Sequence, residues 1–118
     1  VASRNKDPKK SLHEYPETFR MSLSNENRLC LGSFLGAEYD DLPEPVRNEV
    51  QTFADVNVAW LREQLIEADL VAAKDAEERA RAIFAAIAGA QLLARSRSDI
   101  AIFDSMIRSY RAAGLLPK

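Results

Sequence analysis

The sequence predicts an all-α protein, an antiparallel bundle of about five helices, on three observations. No run alternates apolar and polar residues with the β-branched richness that strands want. Only four glycines occur in 118 residues, and two of them, Gly32 and Gly36, fall in a helix-like stretch. Apolar residues recur instead at helical spacing, in segments bounded by Pro, Asn, Asp and Ser.

Val1 to Asp7 reads as a linker, and residues 1–10 as the remnant of a connection that precedes one domain spanning 11–118. Pro8 suits the first turn of a helix running to about Ser24, with Leu12, Tyr15, Phe19 and Leu23 on one stripe. Pro16 is expected to kink or restart it. After a turn at Asn25 to Asn27, Arg28 to Tyr39 reads as a short, largely apolar and therefore buried helix. Asp41 and Glu44 have capping-box spacing, so a long helix is expected from there to about Leu70. Its stripe is Val46, Val50, Phe53, Asn57, Trp60, Leu61, Gln64 and Leu65. Asp75, with Glu78 three residues on, is the expected cap of the next helix, whose segment Ala80 to Ala94 has nearly no polar face. Ser98 is the expected cap of a last helix over Asp99 to Ala113, closed by Gly114 and Pro117.

The composition, 47% apolar and 29% charged, is that of a globular domain with one core. No run approaches the roughly 18 apolar residues of a membrane span, and the polar N-terminus is unlike a secretory signal, so a cytoplasmic protein with no membrane partner is expected. One cysteine and one histidine make neither an internal disulfide nor a conventional zinc site, and no metal or cofactor is expected. Arg4, Lys6, Lys9 and Lys10 against Asp7 put +3 on the first ten residues; with a net charge of −2, the remainder carries −5. Such a body is not by itself a nucleic-acid surface. The start on Val1 leads us to expect a fragment or processed chain. Neither a phosphate-binding glycine loop nor a glycine-flanked serine elbow occurs, His13 reads as a surface residue, and no enzyme is expected.

An all-round apolar helix in a domain this small needs covering on two sides, and a symmetry mate supplies the second most simply. The expected dimer face combines Ile83, Ile87, Ala90 and Leu93 with Ile100, Phe103, Met106, Ile107 and Tyr110. The alternative reading places the same helix at the centre of a monomeric bundle.

The run Arg28-Leu29-Cys30-Leu31-Gly32-Ser33-Phe34-Leu35-Gly36-Ala37-Glu38-Tyr39, followed by Leu42-Pro43-Glu44-Pro45-Val46-Arg47 and the helix through Trp60-Leu61, resembles a recurring stretch of TetR-type transcriptional regulators. The likeness extends more loosely over Leu12 to Leu116. It implies the C-terminal, effector-binding and dimerising domain of a repressor. In that family an N-terminal helix-turn-helix binds operator DNA as a dimer, and a small-molecule effector alters the spacing of the two reading heads. No such module is read in this sequence, and operator DNA is expected as a partner of the parent protein only.

The resemblance also implies a pocket between the Arg28 to Tyr39 helix, the long helix and the apolar helix. Phe53, Asn57 and Trp60, with Phe84 and Gln91, are its expected lining, together with Cys30 and Phe34. Asn57 and Gln91 are polar where the pattern wants apolar residues, and a buried amide must find a hydrogen-bond partner in protein, water or ligand. Two such amides beside Trp60 suit an apolar effector with a few polar atoms, although each amide can equally satisfy neighbouring backbone. Cys30 is either a small buried residue or a sensing thiol activated by Arg28 and a helix N-terminus. A small-molecule carrier or enzyme-associated bundle, and a purely structural oligomerisation module, are the competing functions.

Overall fold

A computed structural model describes residues 7–24 and 43–117. Among them are four helices and no strand: α1 (Pro8–Ser24), α2 (Glu44–Glu67), α3 (Ala73–Ser96) and α4 (Ile100–Ala112). About five helices were expected; the fifth, over Arg28 to Tyr39, lies outside the described residues, as does Asp41.

Helix ends follow local chemistry, but not always through the expected residue. The Asp7 carboxylate accepts from the Lys10 N–H at 3.2 Å, which caps the turn that Pro8 opens. Pro16 lies inside an unbroken α1; it forfeits one backbone bond without ending the helix. The residue before α2 is Pro43, which has no side chain able to cap. Asp75 does not cap α3 either: Ala72 precedes the helix, and Asp75 sits in its first turn, where a carboxylate favours the dipole. Before α4 the cap is Asp99, whose carboxylate accepts from the Ala101 N–H at 3.0 Å. Ser98, the expected cap, has φ 50° and closes α3 instead.

α2, α3 and α4 all end in the same way. The N–H of Leu70 reaches the Leu65 carbonyl, that of Asp99 the Ala94 carbonyl, and that of Leu115 the Tyr110 carbonyl, at 3.0–3.1 Å. This closure needs a left-handed residue just before the donor. Asp69 (φ 57°), Ser98 (φ 50°) and Gly114 (φ 86°) supply it.

The topology is up-down-up-down. Short turns make α2 antiparallel to α3 and α3 antiparallel to α4. Arg20 meets Asp104 and Arg111 meets the His13 carbonyl, so α1 runs antiparallel to α4 and parallel to α3. α1 therefore crosses the other three helices, burying Leu12, Phe19 and Leu23 among them. The face α3 turns inward is a repeat of Ala76, Ala80, Ile83, Ile87, Ala90 and Ala94, each 0% exposed, at the alternating spacing of four and three that fits packed antiparallel helices. Leu61 and Leu65 from α2, and Phe103 and Ile107 from α4, complete the core. No helix among the described residues is long and apolar enough to cross a membrane.

One ion pair fixes α1 on α4. Arg20 Nε and Nη2 grip the two oxygens of Asp104 at 2.8 and 3.1 Å. The hydrogen bond from Arg20 holds the Asp104 carboxyl below its ordinary value of 3.8, and the same pairing raises Arg20. A depressed carboxyl contributes stability that is present above its unfolded-state value and is lost as pH falls through the folded one. Asp104→Asn should therefore cost about 0.5–1 kcal/mol near pH 7, a magnitude that allows for the pair's exposure to solvent. Urea unfolding from pH 7 to pH 3 should show the gap between wild type and variant closing below pH 4; a constant gap would contradict the pairing.

Candidate functional site

Five aromatic rings form a continuous row on the side of α1 that faces α2 and α3. Trp60 stacks on Tyr15 (5.6 Å between centroids, 23°), and Tyr15 meets Phe19 edge-on at 5.5 Å. Phe19 meets Phe84 at 6.4 Å, and Phe84 meets Phe53 at 6.1 Å. These separations lie in the range where ring pairs attract beyond their burial. The row depends on helical spacing: Tyr15 and Phe19 are four apart on α1, and Phe53 and Trp60 are seven apart on α2, so each pair shares a face. Phe84 supplies the last ring from α3.

Of the expected lining residues, the structure thus brings Phe53, Trp60 and Phe84 together through two that were not assigned to the site, Tyr15 and Phe19. Both were legible as core positions of α1; their partnership with α2 depends on helix packing that no local pattern displays. Cys30 and Phe34 lie outside the described residues.

The two amides have different fates. Asn57 is half-buried, accepts from the Tyr15 hydroxyl at 2.6 Å and donates to the Phe53 carbonyl at 2.9 Å. It ties Tyr15 to α2 and keeps one N–H and one acceptor position of its amide outside these two bonds. Gln91 is 0% exposed and donates Nε2 to the Phe19 carbonyl at 3.0 Å, while its Oε1 has no partner among the described residues. Trp60 Nε1, Gln64 Oε1 and Ser11 Oγ are likewise buried and unpartnered. Arg111 Nε on α4 is a fifth such atom; buried polar atoms are normally paired, so the three on α1 and α2 call for an explanation.

The expected dimer residues divide into two sets. Ile83, Ile87, Ala90, Phe103 and Ile107 are buried within the chain's own core and have almost no surface to offer a partner. The reason is that α1, α2 and α4 together already cover the inward stripe of α3, and α1 and α3 that of α4. Leu93, in contrast, is 49% exposed, and Ile100, Met106 and Tyr110 are only partly buried. The Tyr110 hydroxyl donates to the Ala86 carbonyl at 2.9 Å, joining α4 to α3; burial pushes its pKa up, which keeps it a donor. On the side turned away from α1, α3 presents Ala82, Ala85, Gly89 and Leu93, and a Cβ built on Gly89 meets nothing within 4 Å.

A groove of about 500 Å³ runs between α1 and α4 over Pro16, Phe103 and Ile107. It lies on the far side of α1 from the aromatic row, and Arg20, Asp104 and Arg111 in its wall already bond across it. Among the described residues no group of His, Cys, Asp and Glu could hold a metal ion. His13 is exposed, and its carbonyl accepts from Arg111 Nη2 at 2.8 Å.

Tyr15→Phe should cost about 1 kcal/mol in urea unfolding by leaving the Asn57 carbonyl oxygen without its donor. It should also blue- or red-shift the emission of Trp60, the chain's single tryptophan. An unchanged midpoint and spectrum would mean that the stack is not held this way.

No family model matches the chain, and no curated protein sequence matches it. Among solved structures the chain is similar to a TetR transcriptional regulator from Legionella pneumophila, with a TM-score of 0.82 and 21% identity over 95% of this chain. The chain spans 61% of that structure's length. The chain therefore shares its fold with a large part of that structure.

Proposed function

We propose that this chain is the regulatory domain of a TetR-type transcriptional repressor, which pairs with a second copy through α3 and α4 and binds a small-molecule effector beside the aromatic row. The observation that carries this reading is the division of α3 into two faces. One is spent on the chain's own core, while the other leaves Ala82, Ala85, Gly89 and Leu93 uncovered beside Met106 and Tyr110. Small residues permit close approach of a second pair of helices, and an isologous four-helix contact would cover all of them at once. The likeness to a TetR regulator supports the same assembly.

In the parent protein, a DNA-reading domain upstream would sit on each copy, and operator DNA would be bound only through it. The effector would act by favouring one arrangement of the pair over another. The aromatic row suits a flat, largely apolar molecule. The domain's own contribution would be recognition and coupling, with no chemical step.

Gly89→Arg tests the pairing without threatening the fold, because the new side chain enters open space and an interior glycine is a poor helix former by about 1 kcal/mol. Light scattering across a dilution series should give the wild type a mass near twice 13.2 kDa and the variant a mass near 13.2 kDa, with unchanged helical circular dichroism. A wild-type monomer, or a variant that remains a dimer, would overturn the proposed interface.

A further inference from the structure

We infer that the α1–α2 seam, one helical turn beyond the Tyr15–Trp60 stack, recognises an uncharged hydrogen-bonding group of a ligand, with Trp60 Nε1 as donor, Gln64 Oε1 as acceptor and Ser11 Oγ as either. The inference deepens the proposed effector reading by naming the chemistry of the ligand's polar end, a carboxamide, lactam or hydroxyl, and it rests on that reading.

Register places the three groups together. α1 and α2 run antiparallel, and Tyr15 stacks on Trp60. Four residues back on α1 is Ser11, and four residues on along α2 is Gln64, so these two oppose each other across the same seam. Each is only 5% exposed. Ser11 Oγ, Trp60 Nε1 and Gln64 Oε1 are all buried without a hydrogen-bond partner among the described residues. Gln91 Oε1 and Arg111 Nε are single orphans on other helices; three on residues that the helix register sets along one seam are a cluster.

The chemistry of the set defines what satisfies it. An indole N–H only donates, a carboxamide oxygen only accepts, and a hydroxyl does both. A group that accepts and donates at adjacent atoms meets all three. The apolar residues flanking the seam are Leu12, Leu61 and Leu65, each at most 1% exposed. No charged side chain is buried there, so an ionised group would be desolvated without compensation. Selectivity of this kind comes from leaving polar atoms unpaired when the wrong molecule binds.

The seam also makes a statement about stability that a structural role would reverse. If these atoms are kept for a ligand, replacing one by an apolar group of similar shape removes an unsatisfied atom and does not weaken the fold. If they are satisfied within the folded protein, the same change breaks a bond and lowers the melting temperature.

The test uses the full chain and Trp60 fluorescence, with benzamide as polar probe and ethylbenzene as its apolar counterpart, on wild type, Gln64→Leu and Ser11→Ala. Wild type is expected to bind benzamide more tightly than ethylbenzene. Gln64→Leu should bind benzamide about three- to tenfold more weakly, the worth of one neutral hydrogen bond, with ethylbenzene unchanged or tighter and with a melting temperature equal to or above that of wild type. Equal binding of both probes in wild type and variant would overturn the seam while leaving the aromatic site standing. Binding of neither probe would overturn both. A lower melting temperature in Gln64→Leu, whatever the probes do, would assign the seam to the fold and overturn the inference.

Discussion

Among the described residues α1 packs against each of the other three helices, which also pack in sequence on one another, α2 on α3 and α3 on α4. Leu12, Phe19 and Leu23 present one apolar stripe that α2, α3 and α4 share, and each neighbour adds a polar tie that sets its register. For α2 it is Tyr15 to Asn57, for α3 it is Gln91 to the Phe19 carbonyl, and for α4 it is Arg20 to Asp104 with Arg111 to the His13 carbonyl. Hydrophobic contact alone permits sliding along a helix, whereas a directed hydrogen bond does not. The stripe supplies the driving force and the ties supply the alignment.

The packing of α1 against all three neighbours has two consequences for function. It spends the inward faces of α3 and α4 on the core, which leaves their small, open backs to meet something else. It also draws Tyr15 and Phe19 between Trp60 on one side and Phe84 and Phe53 on the other, so that a single aromatic row spans three helices. Movement of α1 would be felt at both places, because the same helix carries the rings and grips α4.

Much of the fold was legible from residues alone. Pro8 to Ser24 was read at its observed bounds, since its apolar spacing and opening proline are local signals. Helix caps were less legible: Asp75 lies three residues beyond the Ala72 cap position and Ser98 one residue before the Asp99 cap, and Asp99 outcompetes its neighbour because Ser98 is needed in the left-handed region to close α3. The apolar helix was read as lacking a polar face, which holds, but its deepest residues, Ile83, Ile87 and Ala90, proved to be core. Periodicity reveals that a face is apolar without revealing which element covers it. The site was half visible for the same reason. Phe53, Trp60, Phe84 and Gln91 stood out individually, while Tyr15, Ser11 and Gln64 acquire meaning only once α1 lies antiparallel to α2.

The most direct test of a domain whose α1 packs on all three neighbours and that pairs through the backs of α3 and α4 is amide hydrogen exchange, resolved helix by helix, at low and high protein concentration. Slow exchange in the middle of α1 at both concentrations, with protection around Gly89 and Met106 that grows as concentration rises, is the result the account predicts. Protection in α3 and α4 that is independent of concentration, or an α1 that exchanges faster than α2, would contradict it.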